Sequence, residues 1–173
     1  MTQKRRILLI DDDQICSWLN KLLLEEMQVA KQIICCTSGE EALHYLRKAS
    51  AEGEPPSLPD LIFLDLNLPD LNGFELLEEA TNLSGCERIA SERTILLTSS
   101  MHLPDLRRAN EKKVLGYLVK PLTRTKVQEV LKSITLHAQP PLAAAPDRLP
   151  AANPKSRGRD AAAPTPSHLA PPH

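Results

Sequence analysis

Five short apolar runs, at 6–10, 32–36, 61–64, 94–97 and 115–119, alternate along this chain with segments that carry a helical period. The runs lack the in-out alternation of a half-solvated sheet, as expected of strands covered on both faces. Strand and helix repeated in this way predict a parallel α/β sheet with helices on both sides. The helical segments are legible too. The stretch 15–27 places Ile15, Leu19, Leu22 and Leu23 on one face, and Val127, Val130, Leu131 and Ile134 repeat the pattern near the end. Ser38 and Glu41 form a capping box ahead of a helix over 42–47. Thr123 caps the last helix, which begins just after Pro121. The expectation is five strands and five helices within residues 1–136, with one longer loop over 50–60 where Gly53, Pro55, Pro56 and Pro59 block regular structure. A doubly wound unit of this size takes the strand order 2-1-3-4-5, and its ligands gather at the carboxyl ends of strands where the order reverses.

Composition narrows the function classes. The chain has 173 residues with 21 Lys+Arg against 22 Asp+Glu, a formal net charge of -1. That balance argues against a nucleic-acid binder that works by neutralising phosphates wholesale. The basic start, 1–6, is followed only by Ile7-Leu8-Leu9-Ile10 before three aspartates, too short for a signal-peptide core. No run approaches the roughly 18 apolar residues of a membrane span, so a cytoplasmic protein with no membrane partner is expected. Cys16, Cys35, Cys36 and Cys86 form no CxxC and read as reduced small hydrophobes. Adjacent strand residues face opposite ways, so Cys35 and Cys36 are not expected to act together. Composition changes at residue 137: from there to 173 stand 9 of the 15 prolines and 10 alanines, with no amphipathic period. Residues 137–173 therefore read as a disordered tail after a domain spanning 1–136.

The chemistry is concentrated at strand ends. The first strand ends in Asp11-Asp12-Asp13 and the third in Asp65, and the expected order sets these strands side by side. Two like charges 4 Å apart repel by about 4 kcal/mol at an effective dielectric of 20, so three ionised carboxylates require a cation. All-oxygen ligands suit Mg²⁺ better than zinc. A single acid after a strand is ordinarily a helix cap, the role expected of Asp13, but a triplet facing a second strand-terminal acid fits that reading poorly. The fourth strand ends in Thr98-Ser99-Ser100 and the fifth in Lys120-Pro121. Singly, Thr98 would be a cap and Lys120 a solvated cation. Together they bring a hydroxyl and a compact positive charge to the rim that carries the acids.

The segments ILLIDDD, LIFLDLNLPDLNGFELL, ILLTSS and GYLVKPL resemble those of response-regulator receiver domains, the phosphoacceptors of two-component signalling. The resemblance covers roughly 4–136 in order and implies a flavodoxin-like (βα)5 fold. It implies Asp65 as phosphoacceptor, Asp12 as a direct Mg²⁺ ligand, Asp11 as a ligand acting largely through water, and Asn67 as donor of a backbone carbonyl to the metal. Thr98 matches the switch hydroxyl, Tyr117 the switch aromatic, and Lys120 the lysine that contacts the phosphoryl group. Pro69 and Gly73 match the loop after the acceptor, and Lys120-Pro121 a cis peptide. The implied protein is a stand-alone signalling protein, no enzyme beyond its own phosphorylation and dephosphorylation. Its implied partners are a sensor histidine kinase or phosphotransfer protein and a downstream target protein, with homodimerisation through the fourth helix, fifth strand and fifth helix as a further option. The first helix, with Trp18 among Ile15, Leu19 and Leu22, matches the kinase-docking element, although a tryptophan is by default a core residue. Asn67 and Ser100 flank the path of a hydrolytic water and are poorly suited to orient it, which implies slow to moderate self-dephosphorylation.

Rival readings are a pseudo-receiver, which keeps the fold as an inert protein-binding module, and a haloacid-dehalogenase-like phosphatase. The second places its nucleophile in a DxD motif on the first motif strand and its metal acids last, the reverse of the order here. Neither GxGxxG nor GxxxxGK[ST] occurs, which disfavours a nucleotide-binding protein.

Overall fold

The structure is a computed structural model that describes residues 5–51, 58–99 and 102–137. The proposed tail lies outside the described residues, save that the last helix continues through His137. The elements run β1 (Arg5–Ile10), α1 (Gln14–Glu26), β2 (Ala30–Cys36), α2 (Gly39–Ala51), β3 (Leu61–Asp65), α3 (Gly73–Thr81), α4 (Ile89–Arg93), β4 (Thr94–Thr98), α5 (Leu103–Glu111), β5 (Gly116–Val119) and α6 (Arg124–His137). All strand pairs are parallel and the order is β2-β1-β3-β4-β5, as expected. Among the described residues the helix count is corrected from five to six. The extra helix, α4, is short, and its carbonyl at Ile89 accepts the buried Thr94 hydroxyl at 3.0 Å, tying it to the strand it introduces.

Burial on both sheet faces explains the unbroken apolar runs. Leu8, Ile10, Ile62, Leu64 and Leu96 join the core under α2, α3, α4 and α5. Their neighbours Ile7, Leu9, Leu61, Phe63, Ile95 and Leu97 join the core under α1 and α6. Successive strand residues thus alternate between two apolar layers. Cys36 lies in the first core and Cys35 against the second, so these cysteines do face opposite sides.

Helix α1 departs from expectation. Its buried positions are Ser17, Asn20 and Leu24, whereas Ile15, Trp18, Leu19 and Leu22 are exposed, Trp18 at 61%. Of the expected face Leu23 packs against the core under α1 and α6, whereas Ile15, Leu19 and Leu22 do not, so hydrophobicity alone sets the phase of this helix wrongly. The phase is set by Asp13, whose side chain accepts the Ile15 and Cys16 N–H groups at 2.9 and 3.1 Å. Trp18 is therefore not a core residue.

At α2 the expected cap is present in altered form. Ser38 Oγ accepts the Glu41 N–H at 3.1 Å, but Glu41 reaches back to the Thr37 N–H at 2.7 Å rather than to Ser38. The helix runs from Gly39 to Ala51, past both limits of the expected 42–47. Thr123 accepts the Lys126 N–H through its hydroxyl at 3.4 Å and the Val127 N–H through its carbonyl at 3.0 Å, and α6 starts at Arg124. Among the described residues, no helix is long and apolar enough to cross a membrane.

Chemical denaturation distinguishes the two classes of aromatic. Phe63→Ala, at a fully buried site, is expected to cost about 3–5 kcal/mol, whereas Trp18→Ala should stay within about 0.5 kcal/mol. Burial also pushes the Cys36 thiol from 9.0 to about 12. The folded protein then holds a proton that the unfolded chain has released, so stability should fall as pH rises above 9 toward 12. Native alkylation at pH ~8 followed by mass spectrometry should leave Cys36 unmodified.

Candidate functional site

The strand ends deliver the acids. β1 is anchored in both apolar layers up to Ile10, so the next residue, Asp11, emerges at the rim while still only 2% exposed. Its Oδ1 accepts the Asp13 N–H at 3.0 Å, which turns the chain toward α1 and leaves Asp12 exposed. β3 pairs with β1 through Ile10 and Leu64, and the following residue, Asp65, arrives beside Asp11 at 5% exposure. Carboxylate oxygens of Asp11, Asp12 and Asp65 all lie within 4.8 Å of one another.

Lys120 completes the group. Its Nζ lies 2.6 Å from Asp65 Oδ2 and 2.7 Å from Asp11 Oδ2. Only the Asp65 contact has hydrogen-bond geometry, so the buried Asp11 Oδ2 has an ionic neighbour but no aligned donor. Burial pushes the Asp11 carboxyl above its ordinary value, against the opposing pull of Lys120. For Lys120, burial favours the neutral amine, yet the two carboxylates outweigh it and hold the ammonium above its usual range.

The lysine is placed by backbone. Its N–H donates to the Thr98 carbonyl at 2.7 Å, and the Lys120-Pro121 peptide is cis, as the resemblance implied. Lys126 supports this loop by donating from Nζ to the Pro121 carbonyl at 2.8 Å. Sequence reading passed over Lys126, although a lysine in a helix's first turn opposes the helix dipole and so calls for a local partner. Thr98 is 2% exposed at the end of β4, on the rim that carries Asp65 and Lys120. Tyr117 sits further back in β5, opposite Leu96, half-buried against the core under α2 to α5. Ser100 lies outside the described residues.

The loop after β3 is built for close approach. The Asn67 N–H donates to Asp65 Oδ1 at 3.2 Å. A Cβ on Gly73 would stand 2.8 Å from the Asp65 carbonyl oxygen and 3.1 Å from Leu66 Cα, so any side chain there would push the end of β3 away. Asn72 and Glu75 form a full capping box that starts α3 next to this glycine.

Electrostatically, one ammonium faces three carboxylates whose ligand atoms converge, and one buried oxygen lacks an aligned donor. Hard oxygen donors with that charge surplus suit a hard divalent cation, Mg²⁺ among them. Beside Lys120, between α1 and the loop before α6, a mainly apolar pocket of about 410 Å³ is lined by Cys16, Leu19, Leu23, Pro121 and Leu122. Of the exposed apolar residues of α1, Leu19 lines this pocket.

Comparison with known proteins agrees with this arrangement. Residues 7–132 match the response regulator receiver domain family. The chain is 34% identical over 128 residues to the "Probable methanogenesis regulatory protein FilR2" of Methanothrix harundinacea, an alignment covering 74% of this chain and 79% of that one. It is 32% identical over 114 residues to the response regulator Rcp1 of Synechocystis, covering 66% and 75% respectively. A solved two-component response regulator from Cytophaga hutchinsonii aligns with a TM-score of 0.68 at 28% identity, over 78% of this chain and 99% of that one. With the fold, the strand order and the family match in agreement, the chain belongs to the response-regulator receiver domains of two-component signalling.

Proposed function

We propose that this protein is a Mg²⁺-dependent phosphoacceptor that takes a phosphoryl group onto Asp65 and signals by a change of surface to a protein partner. The observation that carries the reading is the convergence of Asp11, Asp12, Asp65 and Lys120 at one rim of the sheet. Asp11, Asp12, Asp65 and the Asn67 main-chain carbonyl would hold the cation. When bound, Mg²⁺ supplies positive charge that offsets the negative charge developing on the transferred phosphoryl oxygens.

Asp65 is the nucleophile. One carboxylate oxygen attacks phosphorus of a phosphohistidine on a sensor kinase or phosphotransfer protein. The P–N bond breaks, its electron pair returns to the imidazole, and an acyl phosphate remains on Asp65. Lys120 already rests on Asp65 Oδ2 and meets the incoming oxygens as a point charge, exchanging one anionic partner for another without moving far. The product adds charge and three strong acceptors at the rim. Thr98 then turns its hydroxyl to the phosphoryl group, and Tyr117 follows into the space released. The surface made by α5, β5 and α6 changes as a result, and this surface serves a downstream target or a second copy of the chain. Beyond its own phosphorylation and dephosphorylation the protein needs no enzymatic activity, and nothing in the site calls for nucleic acid.

The donor docks over α1. Ile15, Trp18, Leu19 and Leu22 form an exposed apolar stripe leading to the pocket beside Lys120, which suits an apolar helical surface presenting a phosphohistidine.

Incubation of ¹⁵N-labelled protein with Mg²⁺ and beryllofluoride should shift amide signals across the loop after β3, β4 and α5. An unchanged spectrum would favour the inert pseudo-receiver. Acetyl phosphate should label the wild type and leave Asp65→Asn unlabelled, as read by intact mass under neutral conditions; persistent labelling of the variant would move the acceptor elsewhere. The label on the wild type should outlast seconds, given the poor water-orienting side chains of Asn67 and Ser100.

A further inference from the structure

The loop that follows Asp65 is fastened to a helix that precedes it by some thirty residues. Asp70 Oδ1 accepts the Gly39 N–H at 2.9 Å and Asp70 Oδ2 accepts the Glu40 N–H at 2.8 Å, so one carboxylate closes the start of α2. Asp70 is exposed, and although the slight desolvation at this contact would raise its pKa, hydrogen bonds from the Gly39, Glu40, Asp70 and Leu71 N–H groups prevail and keep it below its ordinary value. An independent contact marks the same junction. A Cβ on Gly39 would stand 2.8 Å from Leu71 Cβ, so the helix start and the loop are pressed together where only glycine fits. At its far end the loop is closed by the Gly73 N–H, which donates to the Leu66 carbonyl at 3.0 Å. Between these anchors, the Asn67 N–H reaches Asp65 Oδ1. Ser38 Oγ accepts the Glu41 N–H at the same helix start and Glu41 reaches out of the helix to the Thr37 N–H, so Asp70 shares the cap with Ser38 while adding the tie to the loop.

We propose that Asp70 is a positioning residue for the cation site: by clamping residues 66–72 to the first turn of α2, it holds the Asn67 main chain beside Asp65. This rests on the function proposed above. Without the clamp the loop is left with the Leu71 contact, the Asn67 N–H bond to Asp65, Gly73 and the α3 capping box, and the Asn67 carbonyl is held less firmly. A simple helix cap would affect stability alone, whereas a positioning residue also affects cation affinity.

The test uses the full chain and Mn²⁺, a hard divalent ion that accepts the same oxygen ligands and is followed through the electron paramagnetic resonance signal of its free form. Wild type should take up Mn²⁺ in an Asp65-dependent manner, absent in Asp65→Asn. Asp70→Ala should weaken uptake about fivefold, the scale on which loss of a capping acceptor shifts an equilibrium. Ser38→Ala, which weakens the same helix start without touching the loop, should lower the thermal midpoint comparably and leave Mn²⁺ affinity at the wild-type value. Asp70→Asn keeps one of the two acceptor oxygens and should bind measurably more weakly than wild type but more tightly than Asp70→Ala, a loss that also serves if the alanine variant fails to fold. Wild-type affinity in the Asp70 variants, or equal weakening in Ser38→Ala, would overturn the positioning role. Absence of Asp65-dependent uptake in the wild type would instead overturn the phosphoacceptor reading on which it rests.

Discussion

The bridge from Lys120 to Asp11 and Asp65 is the interaction on which the rim of this domain depends. Two carboxylates buried at the ends of neighbouring strands repel each other, and burial raises the cost of keeping either one charged. An ammonium 2.6–2.7 Å from both relieves that repulsion within the protein itself. It does so incompletely, because Asp12 adds a third acid and Asp11 Oδ2 lacks an aligned donor. The remaining negative charge is what suits the rim to a hard cation, and the lysine's own mobility is limited by the loop that Lys126 and the Thr98 carbonyl hold.

The two apolar layers give this rim its rigidity and divide the surfaces around it. The layer under α1 and α6 stands beside the apolar pocket next to Lys120. The layer under α2, α3, α4 and α5 includes Tyr117 and leads to the opposite flank. There α5 is tied to α3 twice: Arg108 stacks on the Phe74 ring at 4.5 Å, and Lys112 pairs with Glu78. Exposed ion pairs are individually weak, so the stacking on a buried ring is the firmer of the two ties. Phe74 follows Gly73, the residue pressed on the end of β3, so α3 connects the rim to α5 by direct packing.

How much could be read in advance differed by residue. Asp11, Asp12, Asp65, Thr98 and Lys120 were legible because each ends a strand that is unmistakable as an apolar run, and a parallel sheet places all such ends on one rim. The orientation of α1 was not legible. Its inward face is Ser17, Asn20 and Leu24, two of them polar, while a more apolar stripe of the same spacing faces out, so a hydrophobic period alone turns Trp18 the wrong way. Helix α4 escaped notice because so short an element has too little period to register. Asp70 and Lys126 were passed over for another reason: each acts on partners in a different element or on main-chain carbonyls, and no local pattern encodes such a partner.

What the sequence by itself determined is the layered parallel fold, its strand order and the set of side chains at the rim, since hydrophobic periodicity and strand termini are local properties that a chain carries before it folds. What the tertiary structure alone decided is the direction each helix faces and the contacts that hold the rim in place. The Asp70 clamp, the fit of Gly39 against Leu71 and the lodging of Lys120 between two acids each join residues far apart in the chain. Such contacts depend on distances of a few ångströms between separate elements, and those distances exist only once the sheet has brought the elements together.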